Sequence, residues 1–243
     1  MTADLPLSFH LTDSEQTEQF GEVLGDLLRS KDAHSGCVLL LLSGELGAGK
    51  TTLVRGLAEG LGADASTVAS PTFVLRMDHR SSERMLIHLD AWRMTLADLD
   101  SIGFDELLSS EAVVALEWPE RLADALPARG ICVRLEHAPS SEEDGDVGRC
   151  LTIDAFGVHA LQRQRLSEGL QLLVRAAQIK PLVCPVCGGV PAAGESSLAP
   201  FCSSRCKLVD LGDWLFMRHR IAGTATDAMD QDQAHDASSE SSS

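Results

Sequence analysis

The chain has 243 residues, of which 44% are hydrophobic, a length that suits one large domain and a small second module. The hydrophobic fraction excludes disorder of the whole chain, and the net charge of −16 argues against broad charge-driven binding to DNA, RNA or anionic membranes. The longest apolar run, residues 37–42, is far shorter than the roughly 20 residues that span a bilayer. The first 30 residues show no secretory signal, so we expect no membrane association and a cytoplasmic location.

Charge and composition change along the chain and divide it into parts. Residues 1–179 carry a net charge of −13, residues 180–220 carry +2, and residues 221–243 carry −5. The middle part is rich in Cys, Gly and Pro, whereas the last part has almost nothing to bury. We therefore predict an α/β domain over residues 1–160, a connecting helix over 161–180, a small cysteine module over 181–221 and an acidic disordered tail over 222–243.

The predicted elements alternate between helices and strands. Apolar positions spaced three and four residues apart predict a helix over residues 14–29, with Thr12 and Glu15 as a capping box at its start. Two further helices are predicted over 50–61 and 158–179. Continuous apolar runs predict strands over residues 37–42, 85–89, 112–116, 131–135 and 151–156, the last two as an antiparallel pair. This order predicts a mostly parallel sheet with flanking helices.

A phosphate-binding loop is predicted between the first of these strands and the helix after it. The segment from Gly44 to Thr51 reads Gly-Glu-Leu-Gly-Ala-Gly-Lys-Thr and fits G-x-x-x-x-G-K-[ST] at every fixed position. Glycines let several backbone N–H groups point at one phosphate, and the helix adds its positive N-terminus. Lys50 can reach the β- and γ-phosphates, and the Thr51 hydroxyl can ligate Mg²⁺. The pattern predicts a P-loop NTPase-like fold.

Two acidic residues end apolar runs that are predicted to be strands. Glu117 follows Val-Val-Ala-Leu, and Asp90 follows Leu-Ile-His-Leu. Because the carboxyl ends of parallel strands line one crevice, both carboxylates are candidates to face Mg²⁺. A solvated acid at a strand end is the alternative interpretation of each.

Four segments in this order resemble the TsaE (YjeE) family of bacterial P-loop ATPases over about residues 8–157. They are the loop Gly44–Thr52, Ser70-Pro71-Thr72-Phe73, His88-Leu89-Asp90-Ala91-Trp92-Arg93 and Glu117-Trp118-Pro119-Glu120. The resemblance implies a part in making threonylcarbamoyladenosine in tRNA, with ATP and Mg²⁺ as cofactors. It also implies weak ATP hydrolysis that the partner proteins TsaD and TsaB stimulate, and contact with tRNA only through that complex. From the loop alone, a P-loop kinase acting on a small molecule remains the alternative.

The resemblance also assigns roles to residues of this chain. It implies catalytic roles for Lys50, Thr72, Asp90 and Glu117, and an Mg²⁺ site at Thr51 and Glu117. The residues implied to bind ATP are Glu45, Leu46, Gly47, Ala48, Gly49, Lys50, Thr51, Thr52 and Trp118. Trp92 stands where the family has Tyr, which keeps an aromatic ring but loses the hydroxyl. For His88, which belongs to the same segment, a purely structural role is the alternative to a role at the site.

The second module contains four of the seven cysteines. Cys184-Pro-Val-Cys187 and Cys202-Ser-Ser-Arg-Cys206 are separated by 14 residues, a spacing typical of a closed structural zinc site. About 40 residues bury too little apolar surface to fold alone, so Zn²⁺ would supply folding energy in a small zinc knuckle. A redox Cys-x-x-Cys pair is the competing interpretation, although the odd cysteine count favours a reducing compartment.

The segment from Phe201 to Trp214 resembles the YacG family, a match that covers about residues 181–221. The resemblance implies zinc bound by the four cysteines and binding to DNA gyrase that hinders its hold on DNA. Regulation of gyrase as the main role of the chain is therefore a second hypothesis beside the ATPase.

Overall fold

The computed structural model describes residues 5–30, 36–138, 148–189, 198 and 201–215, of which 211–215 are described by their backbone alone. The predicted acidic tail over residues 222–243 lies outside these residues. Within the described part, no helix is long and apolar enough to cross a bilayer.

One sheet of eight strands forms the centre of the molecule. The strands are β1 (Leu7–Leu11), β2 (Val38–Gly44), β3 (Arg76–His79), β4 (Leu86–Asp90), β5 (Val113–Glu117), β6 (Gly130–His137), β7 (Arg149–Phe156) and β8 (Lys180–Pro181). Their order is β3-β4-β5-β2-β6-β7-β1-β8. The four central strands β4, β5, β2 and β6 are parallel, and antiparallel neighbours extend the sheet at both edges. The predicted α/β class is confirmed, as is the antiparallel pair, now β6 and β7.

Helices cover both faces of the sheet. They are α1 (Ser14–Arg29), α2 (Lys50–Gly60), α3 (Leu96–Ser101), α4 (Phe104–Leu108) and α5 (Ala160–Ala176), while a further helix, α6 (Ser204–Leu215), lies in the cysteine module. Alternate residues of β2 enter different cores: Leu40 and Leu42 pack with α1, α2 and α5, whereas Leu39 and Leu41 pack with α3 and α4. Burial on both faces explains why β2 is a continuous apolar run rather than an alternating one.

Helices α1 and α2 cross at unusually short range because glycines line their contact. A Cβ added to Gly56 would lie 1.8 Å from the carbonyl oxygen of Glu18, and one added to Gly21 would lie 2.2 Å from that of Leu53. Gly25 and Gly60 meet backbone in the same way. Helix α2, which begins at the phosphate loop, therefore packs closely against α1.

Helix α5 and the short strand β8 lead towards the cysteine module. The buried side chains of α5, including Leu166 and Leu170, join the core that α1 and α2 form. The chain turns at Gln178, whose φ is 59°, and β8 then pairs antiparallel with β1. The N–H of Leu182 donates to the carbonyl of Ser8 at 2.7 Å, so the chain is attached to the sheet edge two residues before Cys184.

Candidate nucleotide and zinc sites

The predicted phosphate loop lies between β2 and α2. Gly47 and Gly49 have φ angles of 79° and 101°, in the left-handed region that favours glycine. Gly49 caps α2 without a side-chain hydrogen bond, so the N–H groups of the first turn are available to an anion. The Leu46 side chain points into solvent, whereas Ala48 is fully buried behind the loop.

Lys50 is held inside the loop. Its Nζ donates to the carbonyl oxygens of Gly44 at 2.8 Å and Glu45 at 2.9 Å, and lies 3.7 Å from the centroid of the Trp118 ring. Burial lowers the pKa of the Lys50 ammonium, while nearby carboxylates, led by Glu117, act in the opposite direction. The ammonium group thus lies against the loop backbone and also lines the cleft, where a bound phosphate would meet it.

Register brings the two predicted acids together. In the parallel sheet Asp90 pairs with Glu117, and Glu117 pairs with Leu42, the residue two before the loop begins. Both acids are buried, with exposures of 2% and 3%, so the alternative of a solvated acid is wrong for each. The carboxylates therefore lie at the same edge of the sheet as the loop.

Thr51 and Glu117 form a pair that suits Mg²⁺. The Thr51 hydroxyl donates to Glu117 Oε1 at 2.8 Å. Neighbouring ligands of octahedral Mg²⁺ lie about 2.9 Å apart, since each Mg–O distance is about 2.0–2.1 Å. The two oxygens therefore fit adjacent positions of a magnesium site that phosphates and water would complete. His88 Nε2 lies 2.9 Å from the same Glu117 oxygen.

A second polar cluster faces the loop across the cleft. The Thr72 hydroxyl donates to Asp90 Oδ2 at 2.6 Å, and Ser70 Oγ lies 2.7 Å from Thr72 Oγ1. The other carboxylate oxygen, Asp90 Oδ1, accepts from the backbone N–H of Trp92 at 2.8 Å. Asp90 is thereby fixed in orientation while Thr72 connects it to the loop 70–72.

Two tryptophans close one end of the cleft. The rings of Trp92 and Trp118 have centroids 4.6 Å apart and an interplanar angle of 53°, and the Arg121 guanidinium lies 4.5 Å from the Trp92 ring centroid. Trp118 has a φ of 59°, which is uncommon for a non-glycine residue and turns the chain directly after β5. Trp92 therefore keeps a packing role at the position where the family has Tyr.

The cleft between these groups has a volume of about 380 Å³ and brings most of the predicted residues together. It is lined by Leu46, Gly47, Gly49, Lys50, Thr51, Thr52, Ser70, Thr72, Asp90, Trp92, Glu117 and Trp118. Two residues predicted to bind ATP do not line it: Ala48 is buried, and Glu45 contributes its carbonyl oxygen to Lys50. Ser70 and Trp92 line it although the sequence assigned neither of them an ATP-binding role.

The four predicted cysteine ligands converge in the second module. Their Sγ atoms all lie within 4.8 Å of one another, with Cys187–Cys202 at 3.3 Å, Cys202–Cys206 at 3.5 Å and Cys187–Cys206 at 3.8 Å. Four thiolates around one Zn²⁺ at about 2.3 Å lie about 3.8 Å apart, so the cluster fits a tetrahedral zinc site.

Thiolate formation in this cluster is favoured at one position. Burial raises the pKa of Cys184, but N–H groups of the knuckle backbone outweigh it and lower that pKa to about 6. The neighbouring thiols of Cys187 and Cys206 raise the pKa of Cys202 to about 12. A thiolate at Cys184 is the form that binds metal.

Comparison with known proteins finds a family match for each of the two regions. The family model for the threonylcarbamoyl adenosine biosynthesis protein TsaE matches residues 11–145, and that for the DNA gyrase inhibitor YacG matches residues 182–233. The tRNA threonylcarbamoyladenosine biosynthesis protein TsaE of Streptomyces coelicolor is 38% identical over 143 residues, which cover 57% of this chain and 90% of that protein. The protein of the same name from Bacillus subtilis is 30% identical over 151 residues, or 62% and 87% of the two chains.

A solved structure shares the fold. The crystal structure of YdiB from Bacillus subtilis superposes with a TM-score of 0.51 and 23% identity, covering 73% of this chain and 99% of that one. This likeness shows that the two chains share the α/β fold described above. Since the TsaE model matches more than half of the chain, the protein belongs to the TsaE family and carries a YacG domain after it.

Proposed function

We propose that the chain binds and hydrolyses ATP with Mg²⁺ as a component of the machinery that makes threonylcarbamoyladenosine in tRNA. The observation that supports this proposal is the contact of Thr51 with Glu117 beside Lys50, the arrangement that a phosphate and metal site requires, in a chain of the TsaE family. We infer the pathway from the relatives, which are named as tRNA threonylcarbamoyladenosine biosynthesis proteins.

The loop and its two flanking groups would hold the nucleotide. Backbone N–H groups of the loop and the Lys50 ammonium bind phosphate oxygens, while Thr51 and Glu117 hold Mg²⁺. Mg²⁺ when bound neutralises charge on the phosphate oxygens. We keep the ATP-binding set as Glu45, Leu46, Gly47, Ala48, Gly49, Lys50, Thr51, Thr52 and Trp118, with Glu45 and Ala48 acting through their backbone.

Asp90 and Thr72 are the candidates for hydrolysis itself. Asp90 is buried and fixed by two hydrogen bonds, so its carboxylate can orient a water molecule for attack on the γ-phosphate. Thr72 binds that carboxylate and also lines the cleft, where its hydroxyl can meet the terminal phosphate. Asp90→Asn keeps the shape of the side chain and should retain ATP binding while slowing hydrolysis by about 10²–10⁴-fold.

Partners would bind around the cleft. Leu46 lines it and Phe73 follows Thr72 of its lining, and they are 87% and 84% exposed, so both apolar side chains are accessible to a partner. We propose TsaD and TsaB as the partners, with tRNA met only through their complex and with ATP hydrolysis weak until they bind. The cytoplasm is the proposed compartment, because zinc binding needs reduced thiols.

The decisive experiment compares Lys50→Ala with Arg55→Ala, a partly exposed position on the same helix outside the cleft. With TsaD and TsaB present, Lys50→Ala should abolish phosphate release and tRNA modification, and Arg55→Ala should preserve both. Retention of ATP binding and tRNA modification by Lys50→Ala would contradict the proposal. Transfer of phosphate to a small-molecule acceptor, rather than release as free phosphate, would indicate the kinase alternative.

We also propose that the C-terminal module, with one structural Zn²⁺, binds DNA gyrase and lowers its supercoiling activity. The convergence of four thiols within the YacG match supports this second role. We retain the division into residues 1–160, 161–180, 181–221 and 222–243 as part of the proposal.

Full-length protein loaded with zinc should inhibit supercoiling by purified gyrase, and Cys184→Ser should abolish that inhibition. Cys150→Ser, in β7 and outside the cluster, is the matched control and should inhibit normally. Supercoiling unchanged by the zinc-loaded protein would refute this role while leaving the ATPase proposal intact.

A further inference from the structure

Two buried histidines lie next to each other beneath the metal-site carboxylate. His79 ends β3 and His88 lies in β4, with exposures of 5% and 0%. Their ring centroids are 6.4 Å apart, and the rings are inclined by 37°. In the antiparallel register His88 lies opposite Met77, so His79, two residues further along β3, is on the same face of the sheet.

The hydrogen bonds around this pair identify the protonated ring nitrogens. The Glu117 carboxylate accepts from His88 Nε2, because an ionised carboxylate has no proton to donate. The Thr67 hydroxyl donates to the carbonyl of Asp64 at 2.7 Å. The contact of 3.0 Å between Thr67 Oγ1 and His79 Nδ1 is therefore donated by the ring. In neutral imidazoles this leaves His88 Nδ1 and His79 Nε2 as acceptors.

These two acceptors both lack a donor. His79 Nε2 and His88 Nδ1 are buried, and neither has a hydrogen-bond partner in the described part of the chain. Burial, and secondly the proximity of His88, lower the pKa of His79, so protonating that ring is an unfavourable way to supply a donor. One water molecule has two O–H donors and can satisfy two buried acceptors at once.

We propose that a single buried water bridges His79 Nε2 and His88 Nδ1, and that His79 is thereby a positioning residue for Glu117. This inference rests on the proposed role of Glu117 at the Mg²⁺ site. A donor on His88 Nδ1 keeps the ring proton on Nε2, where it holds the carboxylate beside Thr51. The hydrogen-bonded series Thr67–His79–His88–Glu117 then connects the turn after α2 to the metal site, as outer-shell partners commonly orient metal ligands.

Two substitutions of similar size distinguish the nitrogens of His79. The amide of His79→Gln can occupy the place of Nε2, whereas that of His79→Asn occupies the place of Nδ1 and leaves the side facing the bridge empty. Long-range ¹H–¹⁵N NMR of ¹⁵N-histidine-labelled full-length protein, without nucleotide, reports the tautomer of His88. We expect one tautomer with the proton on Nε2 in the wild type and in His79→Gln, and a mixture in His79→Asn.

The same variants are compared in ATP binding titrated with Mg²⁺. His79→Asn should raise the Mg²⁺ concentration at half-saturation by about tenfold, and His79→Gln should raise it less. ATP binding in the absence of Mg²⁺ should be equal in all of them. Met77→Leu, which lies on β3 with His79 and opposite His88 of β4, controls for disturbance of β3 and should behave as the wild type.

Each outcome decides the inference. A single His88 tautomer in both His79 variants, or equal effects of Asn and Gln, would overturn it, since a general folding defect affects the two alike. If wild-type protein binds ATP without any response to Mg²⁺, the proposed function fails instead. The NMR comparison then still tests the histidine pair, because it uses no nucleotide.

Discussion

Up to Ile179 the chain buries apolar side chains on both faces of a sheet, whereas around the cysteine cluster nearly every described side chain is accessible to water. The first region has two cores, one under α1, α2 and α5 and one under α3 and α4. Among the described residues 183–189, 198 and 201–210, Cys184 alone is buried. Val183, Val186 and Leu208 are exposed there.

This difference shows that one chain uses two sources of stability. Apolar burial contributes about 25 cal/mol per Å² and suffices where a sheet can be covered twice. A short segment with one buried side chain gains little free energy from apolar burial, so metal–thiolate bonds must stabilise it instead of a core. The zinc module should therefore depend on metal and the sheet region should not.

Removal of zinc is expected to have the largest effect, and in one region alone. Structural zinc contributes an apparent 10–16 kcal/mol or so in small domains, far more than the described apolar contacts of this module can replace. Chelation should expose the backbone around Cys202 and α6 to hydrogen exchange and proteolysis. The melting temperature of the sheet region should change by no more than about 2–4 °C.

Cys150→Ser serves as the control, because Cys150 lies in β7 outside the cluster and its loss should leave zinc content unchanged. Continued protection of α6 after chelation would mean that apolar packing alone folds the module, and the contrast between the regions would fail.

The next largest effect is expected at the glycine contact between α1 and α2. In Gly56→Ala the new methyl group meets backbone, the carbonyl oxygen of Glu18 at 1.8 Å, so the helices must separate. Overpacking of this kind costs about 3 kcal/mol, which lowers the melting temperature of a domain of this size by about 6–12 °C. Thermal unfolding followed by circular dichroism measures the shift, and zinc content should stay at the wild-type value.

Gly169→Ala is the matched control for Gly56→Ala. Gly169 lies within α5, but the three atoms nearest to an added Cβ all belong to the Leu27 side chain, which can move. Alanine also favours the helix by up to about 1 kcal/mol. If both substitutions lowered the melting temperature equally, the close crossing of α1 and α2 would not be a major source of stability.

Local patterns predicted the elements whose signals lie within a short stretch of sequence. The helix Ser14–Arg29 has the predicted bounds, and α2 and the central strands differ from prediction by one or two residues. The capping box was wrong in detail: Asp13 accepts from Gln16 N–H, while the Gln16 side chain accepts from Thr12 N–H. Adjacent polar residues can exchange these roles, so sequence spacing alone does not separate them.

Elements that depend on distant partners were missed. Strand β3 is short and polar, and it exists because β4 pairs with it; β1 and β8 likewise form at the other edge of the sheet. The ends of β4 and β5 did predict that Asp90 and Glu117 share one edge. The hydrogen bond between His88 and Glu117 joins residues that are 29 positions apart in the sequence. No sequence pattern indicated a role for His79.

The smallest effect is expected at the junction between the two regions. Leu182→Pro removes the N–H that donates to the carbonyl of Ser8, a loss of about 0.5–1.5 kcal/mol. Hydrogen exchange should increase in β1 and around residues 180–182, because proline cannot restore that bond. Zinc content should not change, and the melting temperature of the sheet region should fall by less than about 4 °C, since neither core loses a contact.

Leu182→Ala keeps the N–H and controls for loss of the side chain. Zinc loss in Leu182→Pro, or a fall in melting temperature as large as that of Gly56→Ala, would show that the regions unfold together. In that case the pairing of β8 with β1 would be a structural coupling between the nucleotide-binding domain and the zinc module rather than a simple attachment.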